Sequence, residues 1–292
     1  MDRLRVIGPV AELEIVTPGT PEEALAAIRA APEGEVAVLA GGTDLLADLE
    51  EERSRARRIV SLRRLPWRTL DWTGPSLSIG STLPLRALEL DPGVRSRLPG
   101  LYEAVHAVGS VPLRHRATLG GNLARSAPAS DLIPVLLALD AEVELFAAAG
   151  VRRLSVDRFV RASRVTAIAP GELIRSIRIP EARPSAFRWQ RVRLANDISQ
   201  LAVAVALSPS DRRWRVAVGG IPPRAIRLAE AATALGTGAP AEVAVRRAGE
   251  IAARAVPLVA DRRASEEYRR RLIGTLLARA VASALLPREG VG

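Results

Sequence analysis

Two glycine pairs, Gly41-Gly42 and Gly120-Gly121, lie about 80 residues apart and constrain this chain more than any other feature. The first, in AGGTD, ends a short apolar run (VAVLA) and opens a stretch with helical spacing. Loss of both β-carbons admits positive φ angles and lets a ligand approach the backbone closely. Backbone N–H groups at such a turn form a concavity suited to a phosphate or pyrophosphate. Thr43 and Asp44 can then cap the helix or bond a ligand hydroxyl. The second pair, in TLGGN, is preceded by Thr118 and followed by Asn122, a hydroxyl and an amide for a ribityl or phosphate group. Each pair also has a plain structural reading: a tight strand-to-helix turn for the first, a glycine bend in a curved sheet for the second. Neither matches GxGxxG and neither reads as part of a regular βαβ unit, which sets a conventional Rossmann site aside. Two such loops on different subdomains point as far as a dinucleotide cleft between two lobes.

The absences narrow the chemistry. With no cysteine, the chain on its own forms no disulfide, thiolate nucleophile, cysteine-ligated zinc or iron–sulfur cluster. His106 and His115 are the only imidazoles, too few for a histidine-rich metal site, and a serine–histidine hydrolase has little support. The formal charge of +10 comes entirely from arginine, but the arginines are scattered among acids and aromatic residues make up 3% of the chain. Stacking platforms for nucleic acid are therefore scarce, and no nucleic-acid partner is expected. No apolar run approaches the roughly 20 residues of a membrane span. The start lacks a secretory signal, so a cytoplasmic protein is expected.

Along the chain, EEALAAIRAA reads as an amphipathic helix opened by Pro21, VAVLA as a buried strand, LLADLEEERSRARR as a helix, and IVSL (59–62) as a strand. From about Leu70 short β-prone pieces alternate with turns; LYEAVHAVG reads as a helix and Asp131 as the N-cap of LIPVLLALDA. From about 181, FRWQRVRL, LAVAVALS and RWRVAVGG predict a meandering antiparallel sheet, with three helices able to cover one face. That segment reads as a separate small α+β domain.

At the same glycine motifs the sequence resembles a known family. LAGGTDLL (39–46) and RATLGGNLARSAPASDLIPVLLALDAEVEL (116–145) are similar to the two FAD signatures of the flavin (medium) subunits of molybdenum hydroxylases, the type found in carbon monoxide dehydrogenase and xanthine dehydrogenase. SIGSTLPLRAL (78–88), APGELIRSIRIP (169–180), LANDISQLAVAVAL (194–207) and EEYRRRLIGTLLARA (266–280) continue the resemblance in the family's order. It implies an α+β chain: a vanillyl-alcohol-oxidase (PCMH)-like FAD-binding fold in two α/β subdomains, 1–58 and 59–180, then a small C-terminal α+β domain, 181–292. It further implies that Ala40, Gly41, Gly42, Thr43 and Asp44, with Thr118, Gly120, Gly121 and Asn122, surround the FAD pyrophosphate and ribityl chain. Asp131 would lie near the flavin's polar side, and Ile168 against its ring.

The function implied is electron transfer. A large partner chain would carry the molybdenum cofactor and a small one two [2Fe-2S] clusters, in a dimer of heterotrimers. FAD on this chain would pass electrons to an external acceptor. The alternatives are a self-contained FAD oxidoreductase of the same fold and a non-flavin scaffold. One position departs from the family pattern. Many relatives carry a lysine eight residues before the aspartate of the NDI segment, where this chain has Trp189. A cation near the flavin N1–C2=O edge favours the anionic reduced form, which an indole does not, and Arg188 and Arg191 are the nearest substitutes. His115 reads as a surface or turn residue, Tyr102 as core, and Glu50-Glu51-Glu52 as a solvated helix face.

Overall fold

Short apolar strands alternating with amphipathic helices build the first lobe: β1 (Glu14–Val16), α1 (Pro21–Arg29), β2 (Val36–Leu39), α2 (Leu45–Glu50) and β3 (Arg58–Ser61). The computed structural model describes residues 13–32, 34–193 and 197–286. Thr20 and Glu23 close a reciprocal capping box that starts α1, with Pro21 at the first helical position. The strands are parallel in the order β1-β3-β2, and the central strand buries Ile59 and Val60.

The second lobe holds β4 (Leu70–Thr73), β5 (Ser76–Gly80), α3 (Leu85–Leu90), α4 (Pro92–Arg97), α5 (Pro99–Ala107), α6 (Val111–Arg114), α7 (Leu119–Arg125) and α8 (Leu132–Ala138). After these come β6 (Glu142–Ala147), β7 (Gly150–Ser155), α9 (Val156–Phe159), β8 (Val160–Ala162), β9 (Val165–Thr166) and β10 (Leu173–Ile179). Five strands form an antiparallel sheet, β4-β5-β10-β6-β7. Its inward residues Leu77, Ile79, Val143, Leu145 and Ile177 meet α5 and α8 in the main core. Every residue of α8 is buried, as expected for a helix apolar on all sides.

The C-terminal part contains β11 (Ser185–Gln190), β12 (Leu201–Leu207), β13 (Trp214–Gly219), β14 (Ile226–Arg227), α10 (Ala229–Leu235), α11 (Glu242–Ala255) and α12 (Glu266–Leu285). The antiparallel sheet runs β11-β12-β13-β14, the meander expected from the sequence. Strict alternation in LAVAVAL sorts its two faces. Leu201, Val203 and Val205 pack under the three helices, and each contributes about 1.5–3 kcal/mol by burial. Ala202, Ala204 and Ala206 face the core of the second lobe, where small side chains admit α8 closely. A β-carbon on Gly219 would lie 2.8 Å from Pro134 of α8. The segment therefore shares a core with the second lobe.

Several sequence readings are corrected. The AGGTD loop does lie in a βαβ unit, because β2 and β3 are adjacent and parallel with α2 between them. The second glycine pair sits in the first turn of α7, not in a sheet bend. β3 pairs with both β1 and β2, so the first sheet extends to Ser61. The helix after AGGTD stops at Glu50. Glu52 adopts a left-handed φ of 55°, and the N–H groups of Arg53 and Ser54 both donate to the Asp48 carbonyl. Glu51 and Glu52 thus belong to a turn, and Arg53 folds back onto Glu51 and Asp48. The N-terminal start and Leu194-Ala195-Asn196 of the LANDISQ motif lie outside the described residues. Among the described residues no helix is long and apolar enough to cross a membrane.

Candidate functional site: a cleft between two glycine loops

The two lobes meet along their glycine loops. A β-carbon on Gly41 would collide with the Arg116 carbonyl, and one on Gly120 would lie 2.6 Å from Ser81. Gly42 needs its glycine for a φ of 82°. Three of the four glycines thus serve loop closure and lobe contact. Gly121 alone has neither a positive φ nor the backbone of another segment against it: a β-carbon there would lie 3.1 Å from Thr118 Oγ1 and 3.9 Å from Ala40 Cβ.

Between the loops lies a cleft of about 840 Å³, inside the range of small-molecule sites. Ala40, Gly41, Gly42, Thr43, Asp44, Thr118, Gly120, Gly121, Asn122, Asp131 and Ile168 all line it. Val38, Leu62, Leu85, Leu113, Leu173 and Ile174 supply apolar walls. On one side, the N–H groups of Gly42, Thr43 and Asp44 donate to no protein acceptor among the described residues. Asp44 occupies the N-cap position of α2 without capping it, which leaves its carboxylate half-exposed in the cleft. Thr118, in contrast, spends its hydroxyl on the Gly121 N–H, and the Asn122 side-chain oxygen Oδ1 accepts from Ser130 Oγ at 2.6 Å.

The opposite end carries a buried ion pair. Asp131 stands at the head of α8, but Ser130 Oγ, not Asp131, accepts from the N–H groups of Leu132 and Ile133. Asp131 Oδ2 instead accepts from Arg191 Nη2 at 2.5 Å. Arg191 is pinned further by the Ala107 carbonyl at 2.7 Å and Ser199 Oγ at 3.2 Å, and its Nη1 donates to no protein acceptor among the described residues. Asp131 Oδ1 is buried without a hydrogen bond. Burial pushes the Asp131 carboxyl above the usual aspartate range, and Ser199 and Arg191 offset this only in part. Asp197 accepts from the N–H groups of Val192, Arg193 and Ile198 and so fixes the loop that carries Arg191.

Of the three side chains weighed for the lysine position, only Arg191 reaches the cleft. Trp189 packs on the core, stacked against Phe187 at 5.3 Å, and Arg188 turns away to Glu103 and Ser283. His115 is exposed, and Tyr102 is half-buried beside Arg95 and His106. Sequence reasoning missed Asp48 and Arg125, which also line the cleft and join side chain to side chain across 77 residues. Their only local signal is that Asp48 lies one helical turn after Asp44.

Behind the wall formed by Val108 to Leu113, Glu89 accepts from Arg114 Nε at 2.7 Å and Nη2 at 2.8 Å and meets Arg86 and His106 at 2.8 Å. Burial alone would raise its pKa, but the hydrogen bonds from Arg114, Arg86 and His106 and the charge of Arg114 outweigh burial and hold it at about 2. Asp48 is also held at about 2, first by Arg125 and then by Arg53. A carboxylate whose folded pKa lies below its unfolded value stabilises the fold above the unfolded value and ceases to as pH falls through the folded one. The stability these two carboxylates supply should therefore stay level from neutral pH to about 5 and fade between about 4.5 and 2. Glu89 alone should supply roughly 3 kcal/mol at neutral pH. Urea titrations across this range check it: Glu89→Gln should lower stability at pH 7 and flatten the acid slope.

A two-lobed cleft with unspent backbone donors on one side and a fixed cation and carboxylate at the other end defines a protein built to hold a long dinucleotide. The family model for the FAD binding domain in molybdopterin dehydrogenase matches residues 11–182, and the model for the CO dehydrogenase flavoprotein C-terminal domain matches 185–284. The chain belongs to this family of FAD-binding subunits of xanthine dehydrogenase and carbon monoxide dehydrogenase type oxidoreductases. The nicotine 6-hydroxylase medium subunit of Paenarthrobacter nicotinovorans is 29% identical over 85% of this chain and 89% of its own length. The xanthine dehydrogenase FAD-binding subunit of Escherichia coli O157:H7 is 29% identical over 87% and 90%. A solved chain of the carbon monoxide dehydrogenase of Hydrogenophaga pseudoflava superposes with a TM-score of 0.85 at 25% identity, covering 94% of this chain and 97% of that one.

FAD fits the residues present. The unspent N–H groups of Gly42, Thr43 and Asp44 suit a pyrophosphate, Gly121 without a β-carbon admits close approach, and the Arg191 guanidinium lines the opposite end.

Proposed function

We propose that this chain is the electron-relaying subunit of a three-chain hydroxylase. A large partner holds the molybdenum cofactor and oxidises the substrate, and a small partner carries two [2Fe-2S] clusters. An external acceptor (NAD, a quinone, a carrier protein or oxygen) takes the electrons from this chain. The assembly is a cytoplasmic dimer of heterotrimers. The observation that carries the reading is the convergence of both glycine loops, Asp131 and Ile168 on one cleft.

Ala40 to Asp44 and Thr118 to Asn122 would hold the pyrophosphate and ribityl chain, with Asp131 and Ile168 at the flavin. FAD, when bound, supplies the redox chemistry. The protein's own part is electrostatic and steric. Arg191, fixed by three acceptors, would hold a positive charge at the flavin end of the cleft, where it would favour added electron density. The apolar walls exclude water. No general base is needed, and a chain without cysteine draws its electrons from clusters held elsewhere.

Anaerobic mixing of substrate with the lone chain and with the reassembled complex tests this. Flavin bleaching only when both partners are present supports the relay. Bleaching by substrate in the lone chain would point to a self-contained oxidoreductase, and a complex with intact partners and no flavin to a scaffold.

A further inference from the structure

We infer that Arg125 and Asp48 form a clasp across the cleft that governs how long the cofactor stays bound, an inference that rests on FAD occupying this cleft. Arg125 ends α7 in the second lobe and Asp48 lies on α2 in the first, and both line the cleft. Two guanidinium nitrogens meet one carboxylate: Nη1 bonds Oδ2, and Nη2 bonds Oδ1 at 3.1 Å. The side chains are 21% and 12% exposed, so solvent screens this pair less than a surface one.

Asp48 is also held from within its own lobe. Its Oδ1 accepts from Arg53 Nε at 2.8 Å, and its carbonyl ties down the N–H groups of Arg53 and Ser54, the turn that ends α2. Arg125 also has Asp44 Oδ1 at 3.6 Å from Nε, so its charge is matched by two carboxylates of the first lobe. Such an arginine is a poor phosphate ligand, because engaging an anion would compete with both aspartates. Its geometry suits holding the lobes together, while the neutral backbone donors of the AGGTD loop remain for the anion.

A ligand that spans the gap and a clasp that closes it stabilise the same closed arrangement, so each strengthens the other. Opening the clasp should then hasten cofactor release more than it disturbs the empty fold.

The test follows FAD release from holoprotein, read as the gain of free-flavin fluorescence after high dilution into flavin-free buffer, for the native chain, Asp48→Asn, Arg125→Gln and the double variant. Each single change should speed release about 10- to 100-fold, in the range typical of coupling between sites. The double variant should be no faster than the quicker single one. Arg125→Lys, which keeps the charge but loses the fork, should fall between. Melting of the apo chains reads the structural contribution separately. Variants that melt lower without FAD yet release it at the native rate would overturn the clasp. If the native chain binds no FAD, the functional reading itself fails.

Discussion

Arg191→Met should destabilise the empty protein by about 3–5 kcal/mol, because it leaves Asp131 buried with no counter-charge. The loss should also depend on pH. Burial already raises the Asp131 carboxyl, and without Arg191 its folded pKa rises further above the unfolded value. A group raised in the fold contributes stability at low pH and loses it as pH climbs through the folded value. The gap between native and variant chains should therefore be wider at pH 8 than at pH 5. Denaturant titration of both apo chains at the two values measures it, and a gap independent of pH would mean Asp131 is not the group left unpaired. In holoprotein the same variant should lower the flavin's midpoint potential, since the fixed positive charge at the polar end is gone.

Gly41→Ala should nearly abolish FAD binding, with affinity lowered more than about 100-fold, and cost roughly 3 kcal/mol of stability. The new β-carbon strikes the backbone of Arg116 and Ala117, which cannot swing aside as a side chain tip could. The lobes must then part along the line where the glycine loops meet. Gly121→Ala is the informative contrast. Its β-carbon meets only the Thr118 Oγ1 hydroxyl, at 3.1 Å, and Ala40 Cβ at 3.9 Å, so the empty fold should lose far less than in Gly41→Ala. Weaker FAD binding in that variant would therefore report a cofactor lying against the Gly121 backbone. Isothermal titration with FAD and melting of the apo forms separate the two effects.

These outcomes follow from features of unequal legibility in the sequence. The period-two pattern of LAVAVAL showed a strand, and its division into Val and Ala faces matches the two layers it separates. Both glycine loops line the one cleft, although three of their four glycines answer to backbone packing or φ. Trp189 was legible in principle: Phe187 and Trp189 alternate with Arg188 and Gln190, so one face of β11 is aromatic and faces the core. What stayed hidden were contacts between distant segments. Asp131 looked like a helix cap because local sequence cannot show that Arg191, 60 residues on, takes its carboxylate while Ser130 does the capping. The Asp48–Arg125 pair was invisible for the same reason. The early end of α2 depends on a left-handed residue at Glu52 that charge spacing gave no sign of.

The most direct test of the account is the flavin content of the chain isolated with its partners, by absorbance and by identification of the flavin released on heating. One FAD per chain, lost in Gly41→Ala and retained in a change outside the cleft such as Val243→Ala, is the expected result. Partners intact and no flavin, even after incubation with excess FAD, would contradict it.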